Sequence, residues 1–203
     1  MRRIVMFNWV SADGYFAGLS GDLNWVVPDE GQAKMAAKDI SRFDTVLFGR
    51  RTYEIFDAFW GHVVVDGSAR VPDPHHPGRR SLEHGKIAIA LNAMTKLVFS
   101  RTVDRLTWRN SRLLREFDLR EIQTMKEQPG KDFIVFGSGS IVSKLSQHEL
   151  IDEYQFAVCP VILGSGKPLI RDLSICLRLD LLEAKALQSG DVMLRYGRVP
   201  VKN

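Results

Sequence analysis

Residues 132–142 read DFIVFGSGSIV and join an apolar run to a glycine-rich turn and then to residues with helical spacing. The order predicts a buried strand, a tight turn and the start of a helix. Glycines allow the backbone to come close to an anion, and the first N–H groups of a helix attract phosphate. The third glycine of the dinucleotide-binding fingerprint is missing, because Val142 stands in its place. The turn is therefore a candidate pyrophosphate site, and a simple serine-capped turn is the alternative.

The same order of strand and helix recurs along the rest of the chain. Apolar runs that predict strands cover residues 4–10, 45–48, 96–99, 133–136 and 154–163. Segments with helical spacing cover residues 30–43, 51–59, 82–94, 119–128 and 140–150. This alternation is typical of an α/β domain with a largely parallel sheet. Residues 176–187 and 191–199 differ, because Gln188-Ser189-Gly190 between them is a hairpin signal that predicts an antiparallel pair at the C-terminus.

The composition is that of a globular domain. The chain has 203 residues, 45% of them apolar and 26% charged, without a repeat or a linker, so we expect a single domain over residues 1–203. An irregular insertion covers about residues 61–85, which hold three prolines and four of the five histidines. The net charge of +4 fits a small polyanionic ligand as well as DNA, and Lys and Arg do not cluster with aromatic residues. We therefore expect no nucleic-acid partner.

The sequence favours neither a metal site nor a membrane span. Cys159 and Cys176 form no CxxC pair, so we expect both to be reduced, buried thiols of a cytoplasmic protein. His75 and His76 stand between prolines, which favours a solvated loop over a metal site, and we expect no bound metal. Residues 4–7 predict a buried first strand rather than a signal peptide, and no run approaches the roughly 20 apolar residues of a membrane span.

Two further strand ends carry groups that suit phosphate. One predicted strand ends in Gly49-Arg50-Arg51-Thr52, and another ends in Ser100-Arg101. Arginine forks match phosphate oxygens. In an open α/β sheet the carboxyl ends of the strands gather at one crevice, so we expect both ends to meet the turn at residues 137–140. Each arginine alone could be a surface residue, but three such ends together predict a ligand with several phosphates, such as a dinucleotide with an extra 2′-phosphate.

The region after the first strand has the composition of a loop that closes over a ligand. Within residues 11–30, Trp25 is a candidate platform and Glu30 opens the next helix. Asp29 and Glu30 also suit the positive end of that helix, which is the alternative interpretation. Residues 163–168, LGSGKP, superficially resemble a P-loop, but a proline follows the lysine, so we interpret them as a turn at a strand end.

The motifs described above, in the order in which they occur along the chain, resemble those of the dihydrofolate reductase superfamily. Within it they are similar to the reductase domain of bifunctional riboflavin-biosynthesis deaminase-reductases and to its stand-alone relatives. The matching stretches are SADG (11–14), Trp25, GRRTYE (49–54), Ser100-Arg101, FGSGS (136–140), LIDEY (150–154), PVILGSGK (160–167) and SGDVMLRY (189–196). The resemblance implies a three-layer fold, with a central mixed, mainly parallel sheet and helices on both faces. It also implies NADPH as hydride donor, a small-molecule substrate and often a homodimer.

The resemblance further implies roles for individual residues. Ala12 would lie near the nicotinamide amide through its backbone, and Ser100 and Arg101 would bind the 2′-phosphate. The positions implied for the pyrophosphate and the adenosine-side phosphate are Gly49, Arg50, Arg51, Thr52, Gly137, Ser138, Gly139, Ser140 and Ile141. Residues 25–30, WVVPDE, are similar to the Trp-x-x-Pro-x-acid pattern of dihydrofolate reductases, which implies a substrate site at Trp25 and Glu30. Glu30 would then be the catalytic acid, with a pKa raised by burial in an apolar cleft.

The function that the resemblance implies is NADPH-dependent hydride transfer to a pterin-like or aminopyrimidine substrate, similar to that of 5-amino-6-(5-phosphoribosylamino)uracil reductase of riboflavin biosynthesis. Riboflavin-pathway reductases usually carry a lysine in the first strand, where this chain has Phe7. This difference bears on the substrate rather than on the cofactor. Dihydrofolate reduction with Glu30 as the acid is one alternative function, and non-catalytic binding of NADPH by a sensor is another.

Overall fold

The computed structural model describes residues 1–27, 29–63, 68–73 and 78–199. Its strands are β1 (Ile4–Ser11), β2 (Tyr15–Ala17), β3 (Phe43–Gly49), β4 (Val71–Pro72), β5 (Arg80–Ser81), β6 (Thr95–Phe99), β7 (Ser111–Leu114), β8 (Asp132–Phe136), β9 (Glu153–Cys159), β10 (Lys167–Pro168), β11 (Leu179–Ala186) and β12 (Val192–Arg198). Its helices are α1 (Glu30–Asp39), α2 (Arg50–Phe56), α3 (Leu82–Ala93), α4 (Leu119–Glu127) and α5 (Gly139–Gln147). A 3₁₀ turn over Ile40–Arg42 follows α1, and a π-helical turn over Asp57–Gly61 follows α2.

Eight of the strands form one central sheet in the order β11-β12-β9-β1-β8-β3-β6-β7. Neighbouring strands from β9 to β7 are parallel, whereas β12 runs antiparallel to both β9 and β11. The turn between β11 and β12 contains Gly190 with a φ of +90°, a backbone conformation that favours glycine. The predicted α/β class, with a mixed, mainly parallel sheet and a C-terminal antiparallel pair, is confirmed.

Helices cover both faces of the sheet because its inner strands are apolar on both sides. Alternate residues of a strand point to opposite faces. On one face, Ile4 and Met6 of β1 belong to a core with residues of α4 and α5. On the other face, Val5 belongs to a second core with residues of α2 and α3. The three-layer arrangement that the resemblance implies is therefore confirmed.

Several predicted boundaries differ from the observed ones for local reasons. β9 ends at Cys159 rather than at residue 163, because Pro160 has no N–H group to donate to a strand partner. α1 ends at Asp39, and Phe43, assigned to that helix by its spacing, begins β3. Within the predicted insertion over residues 61–85, β4 pairs with β5 and α3 begins at Leu82. The predicted solvated loop at residues 75–76 lies outside the described residues.

The two thiols differ in environment. Cys159 is buried on β9, and burial raises the pKa of its thiol to about 12. Cys176 is exposed, so the prediction that both thiols are buried is wrong for this residue, which lies in an irregular segment before β11. None of the helices in the described ranges has the length and apolar character needed to cross a membrane. Within the same ranges, no group of three or more His, Cys, Asp or Glu side chains is placed to hold a metal ion.

Candidate active site

Two cavities lie side by side at the carboxyl ends of β1, β3 and β8. The larger, which we call the cleft, has a volume of about 810 Å³ and is lined by the turns after β3 and β8 and by residues of β1, β2 and β10. The smaller, which we call the pocket, has a volume of about 380 Å³ and lies among α1, α3 and β5. Phe7, Trp9, Phe56 and Phe136 line both cavities, and we call these four side chains the aromatic wall. Both volumes suit small-molecule ligands.

Ser138 joins the turns that follow β3 and β8. It has a left-handed backbone conformation, with a φ of +57°, and its hydroxyl does not cap α5. Instead, Ser138 Oγ accepts a hydrogen bond from the Gly49 N–H at 2.7 Å and donates one to Thr52 Oγ1 at 2.8 Å. The two turns are therefore held against each other, and the first residues of α5, Gly139 and Ser140, line the cleft without a side-chain cap.

Close packing requires glycine at two positions of the turn after β8. Gly137 has a φ of +54°, and a Cβ atom there would stand 3.0 Å from Thr52 Oγ1. A Cβ atom on Gly139 would stand 2.9 Å from the carbonyl oxygen of Leu169, which is closer than real Cβ atoms approach. The missing side chains let the turn pack against its neighbours while its backbone faces the cleft.

The residues that line the cleft carry an excess of positive charge. Of the described lining residues, four are cationic and one is a carboxylate: Arg50, Arg51, Lys167 and Arg171 against Glu54. Glu54 pairs with Arg50 at 3.1 Å across one turn of α2. Lys167 Nζ and Arg51 Nη1 lie 2.9 and 3.5 Å from the point where a Cβ atom of Gly21 would stand, so these two cations converge. Converging ammonium and guanidinium groups fit phosphate oxygens.

Sequence reasoning missed Lys167 and Arg171. Lys167 belongs to LGSGKP, the segment interpreted as a turn at a strand end, and it forms the short β10, which pairs with β2. Gly166 permits this pairing, because a Cβ atom there would stand 2.6 Å from the Ala17 carbonyl oxygen. The glycine before the lysine was the available signal, since it marks a close approach of two backbones.

Eight of the predicted cofactor-binding residues line the cleft. They are Gly49, Arg50, Arg51, Thr52, Gly137, Ser138, Gly139 and Ser140. Ile141 is only 5% exposed and packs into the core that α4 and α5 cover. The three predicted strand ends are adjacent, because β8, β3 and β6 are neighbours in the sheet. The structure thus brings the residues of two strand ends together, and their binding of a cofactor stays a prediction.

The end of β6 contributes Phe99 to the cleft, whereas Ser100 and Arg101 lie outside the lining. Ser100 Oγ accepts hydrogen bonds from the N–H groups of Thr102 and Val103, at 3.2 and 3.1 Å. Arg101 is exposed. The role of both residues in binding a 2′-phosphate stays a prediction.

Ala12 lies in an exposed turn beside the segment that follows β9. Its N–H donates to the Val161 carbonyl at 2.8 Å. The next residue, Asp13, accepts hydrogen bonds from Ser11 Oγ at 2.6 Å and from the Gly164 N–H at 2.8 Å. The bond from Ser11 lowers the pKa of the Asp13 carboxyl. These bonds tie the two loops together, and contact of Ala12 with a nicotinamide stays a prediction.

Trp25 lines neither cavity, although residues close to it in the sequence do. Its indole Nε1 is buried and has no hydrogen-bond partner in the described part of the chain. Its neighbour Val26 lines the pocket, and Leu23 lines the cleft. The predicted role of Trp25 as a substrate platform stays a prediction.

Glu30 lines the pocket, but it is not buried. Its side chain is 58% exposed and pairs with Arg79 at 2.9 Å, so the expected burial of this carboxyl in an apolar cleft is wrong. The residue before it, Asp29, takes the capping position of α1 and accepts hydrogen bonds from the N–H groups of Gln32 and Ser189, at 2.8 and 3.1 Å. Partial burial alone would raise the pKa of the Asp29 carboxyl, but these bonds outweigh it and lower that pKa.

The aromatic wall is built from two neighbouring strands and the end of α2. Phe7 and Phe136 are register partners in β1 and β8, and their ring centroids lie 6.2 Å apart. Phe136 stacks on Phe56 with centroids 5.2 Å apart, and Phe7 meets Trp9 edge to face at 5.4 Å. Trp9 Nε1 donates to Gln32 Oε1 at 3.0 Å. The wall therefore offers aromatic surface, and its one polar hydrogen is already bonded.

Comparison with known proteins assigns the chain to a class. The model of the RibD C-terminal domain family matches residues 2–193, so the chain belongs to this family. Among its relatives is the uncharacterized protein YyaP of Bacillus subtilis (strain 168), 28% identical over 197 residues, which are 96% of this chain and 94% of YyaP. A second uncharacterized protein of the same organism, YwjB, is 27% identical over 198 residues, which are 97% of this chain and 98% of YwjB.

Solved structures share the fold. A candidate riboflavin biosynthesis protein from Shewanella sp. PV-4 superposes with a TM-score of 0.72 at 20% identity, over 98% of this chain and 99% of that one. RibD of Acinetobacter baumannii gives a TM-score of 0.62 at 18% identity, over 98% of this chain and 58% of that one. A pyrimidine reductase-like protein of Corynebacterium diphtheriae gives 0.62 at 13% identity, over 98% of this chain and 92% of that one.

Proposed function

We propose that this protein is an NADPH-dependent reductase that transfers hydride to a pterin-like or aminopyrimidine substrate. The observation that carries the proposal is the junction of a positive, glycine-lined cleft with a second cavity across the aromatic wall. One cavity suits a phosphate-rich cofactor and the other suits its acceptor, which a bimolecular hydride transfer requires. The family supports this reaction class, since a structural neighbour of 12% identity from Thermotoga maritima is described as a deaminase and 5-amino-6-(5-phosphoribosylamino)uracil reductase.

The residues of the cleft fit NADPH. Gly137 and Gly139 line the cleft, and the absence of side chains lets this turn pack closely on Thr52 and Leu169 beside the start of α5, an arrangement that suits a pyrophosphate. Arg51 and Lys167 converge at the edge of the same cleft, which suits a phosphate of the adenosine half. When bound, NADPH supplies the hydride. The protein supplies orientation and charge.

The aromatic wall has no titratable group. Phe7, Phe56 and Phe136 carry no proton to give, and the indole N–H of Trp9 is bonded to Gln32. The wall itself therefore gives no proton, and we assign the proton that completes the reduction to water at the open side of the pocket. Glu30, exposed and paired with Arg79, is not held against the wall, so its position does not favour the dihydrofolate reductase alternative.

Ligand binding and turnover together test this proposal. We expect NADPH to quench the tryptophan emission saturably, with NADH binding more weakly, because Trp9 lines the cleft. We then expect NADPH oxidation at 340 nm with at least one member of a panel of pterins, aminouracils and quinones. Absence of NADPH binding would refute the cofactor assignment. Binding without turnover across the whole panel would favour the non-catalytic sensor.

A further inference from the structure

The pocket and the cleft differ in charge, and this difference bears on the substrate. Of the described residues that line the pocket, four are carboxylates and four are Lys or Arg, so the pocket has no charge surplus. Glu30 and Arg79 form one of the pairs, at 2.9 Å. The cleft, in contrast, has four cations against one carboxylate. A ligand that carries a phosphate is therefore matched in the cleft and unmatched in the pocket.

The aromatic wall offers the substrate apolar ring faces and edges with little hydrogen bonding: Phe56 and Phe136 are nearly parallel, and Phe7 meets Phe136 edge to face. Its rings are partly exposed at the cavities, and Phe136 lies between Phe7 and Phe56 with centroids 6.2 and 5.2 Å away. The Trp9 indole is held by Gln32, which is 8% exposed and also donates to Met193 Sδ at 3.7 Å. A fixed aromatic surface of this kind favours stacking of a planar ring. It does not match a flexible polar chain, which would lose its hydration against it.

We propose that the hydride acceptor is a flat, uncharged, conjugated ring without a phosphate-bearing chain, and that it packs against the aromatic wall from the pocket side. This inference rests on the proposed function. Reduction of a C=N or C=O bond of the ring adds one hydride, with its two electrons, to carbon and one proton from water to the heteroatom. The reduced nicotinamide is oxidised in the same step, so no further reductant is needed.

Two pterins that differ in one charge test the proposal by binding alone. The probes are 6-methylpterin, which is uncharged at pH 7, and pterin-6-carboxylate, which carries an added negative charge. Each is titrated against tryptophan emission with and without NADP⁺. We expect 6-methylpterin to bind at least about tenfold more tightly, because burial of an unpaired charge is unfavourable. Equal affinity, tighter binding of the carboxylate or no binding of 6-methylpterin would overturn the proposal.

Variants locate the binding surface. We expect Phe136→Leu and Phe7→Leu each to raise the Kd of 6-methylpterin about fivefold, because each variant loses ring stacking. Phe117→Leu is the matched control, because Phe117 packs on Phe99 with centroids 5.7 Å apart and lines neither cavity. Binding of 2′,5′-ADP, which has no nicotinamide, reports whether each variant keeps the cleft intact. Unchanged 6-methylpterin binding in both wall variants that retain 2′,5′-ADP binding would refute the proposed surface.

Different results would refute the proposed function and the inference about the substrate. If 6-methylpterin binds at the wall but NADPH does not bind in the cleft, the cofactor assignment is wrong and the preference of the pocket for uncharged rings stands. If NADPH binds and only phosphorylated substrates are bound or reduced, the reductase assignment stands and the inference about the substrate is wrong.

Discussion

The cleft and the pocket contact the same four aromatic side chains, yet their other walls are made differently. Backbone at Gly137 and Gly139 and an excess of cations line the cleft. Side chains of both charges, from α1, α3 and the segments around β4 and β5, line the pocket. An excess of cations attracts a polyanion over a distance and can bind its oxygens directly, whereas a surface with balanced charges attracts it less. The contrast indicates that charge directs each ligand to its own cavity, and that the aromatic wall is where the two ligands meet.

Loss of a cation from the cleft is expected to have the largest effect on ligand binding, because it removes a phosphate contact. Arg51→Gln and Lys167→Gln should each raise the Kd of NADPH by about 10- to 100-fold, because a charge-assisted hydrogen bond contributes roughly 1.5–3 kcal/mol. Fluorescence titration measures the change. Binding of 6-methylpterin should stay within about twofold, because neither residue lines the pocket.

Arg112→Gln is the control for these variants, since Arg112 is an exposed arginine on β7 that pairs with Glu121. It removes the same kind of charge at a distance from both cavities and should leave NADPH binding unchanged. A Kd for NADPH within about twofold of wild type in both cleft variants would contradict the phosphate role of the converging pair.

The sequence could predict the ends of β3 and β8, because the signals there are local. A glycine after an apolar run, followed by Arg50 and Arg51 or by Ser138, identifies the turn, and parallel neighbours place the two turns side by side. Lys167 could not be placed in this way. It reaches the cleft through the pairing of β10 with β2, segments about 150 residues apart. Gly166 signals that two backbones come close, but it does not identify β2 as the partner.

Glu30 shows the opposite error, in which a local pattern suggested too much. WVVPDE has the spacing that places an acid in the substrate site of dihydrofolate reductases. Here Asp29 accepts the capping hydrogen bonds, and Arg79 from the segment before α3 pairs with Glu30 at the surface. The burial of an acid depends on what covers it, and the covering segment is far away in sequence.

Replacement of Arg101 tests whether the cationic region extends to β6. Following the resemblance, we expect Arg101→Gln to lower the preference for NADPH over NADH by roughly tenfold, since one phosphate contact contributes roughly 1.5 kcal/mol. The Kd of NADH should be unchanged. If Arg101→Gln keeps the full preference for NADPH over NADH and Lys167→Gln loses it, the 2′-phosphate is bound at β10. The role in 2′-phosphate binding that the resemblance implies for Arg101 is then wrong.

Loss of the hydrogen bond between Gln32 and Trp9 in the aromatic wall is expected to change ligand binding less than loss of a cation does. Gln32→Leu leaves the Trp9 N–H without its partner, which should lower the free energy of unfolding by about 1–3 kcal/mol and weaken 6-methylpterin a few fold. Urea denaturation of Gln32→Leu, Trp9→Phe and the double variant forms a cycle. Because Trp9→Phe removes the donor, the cost of Gln32→Leu should be smaller in that background. Full additivity would mean that the bond does not hold Trp9.

The smallest effect is expected at Glu30, where the two cavities offer a matched pair of variants. Glu30→Gln breaks the exposed ion pair with Arg79 in the pocket, and Glu54→Gln breaks the exposed pair with Arg50 in the cleft. Each pair contributes at most about 1 kcal/mol to stability. Glu54→Gln frees Arg50 in the cleft, so it should lower the Kd of NADPH by about twofold. Glu30→Gln should leave that Kd unchanged.

Turnover then separates a surface acid from a catalytic one. With a substrate from the panel, we expect Glu30→Gln to keep kcat within about twofold at every pH, because the proton comes from water and the carboxyl is 58% exposed. The pH profiles of kcat for the wild type and the variant are the measurement. A loss of more than about tenfold that grows with rising pH would show that Glu30 supplies the proton, since a catalytic acid is needed most where water provides fewest protons. The pocket would then resemble the dihydrofolate reductase site more closely than its exposed, paired carboxylate indicates.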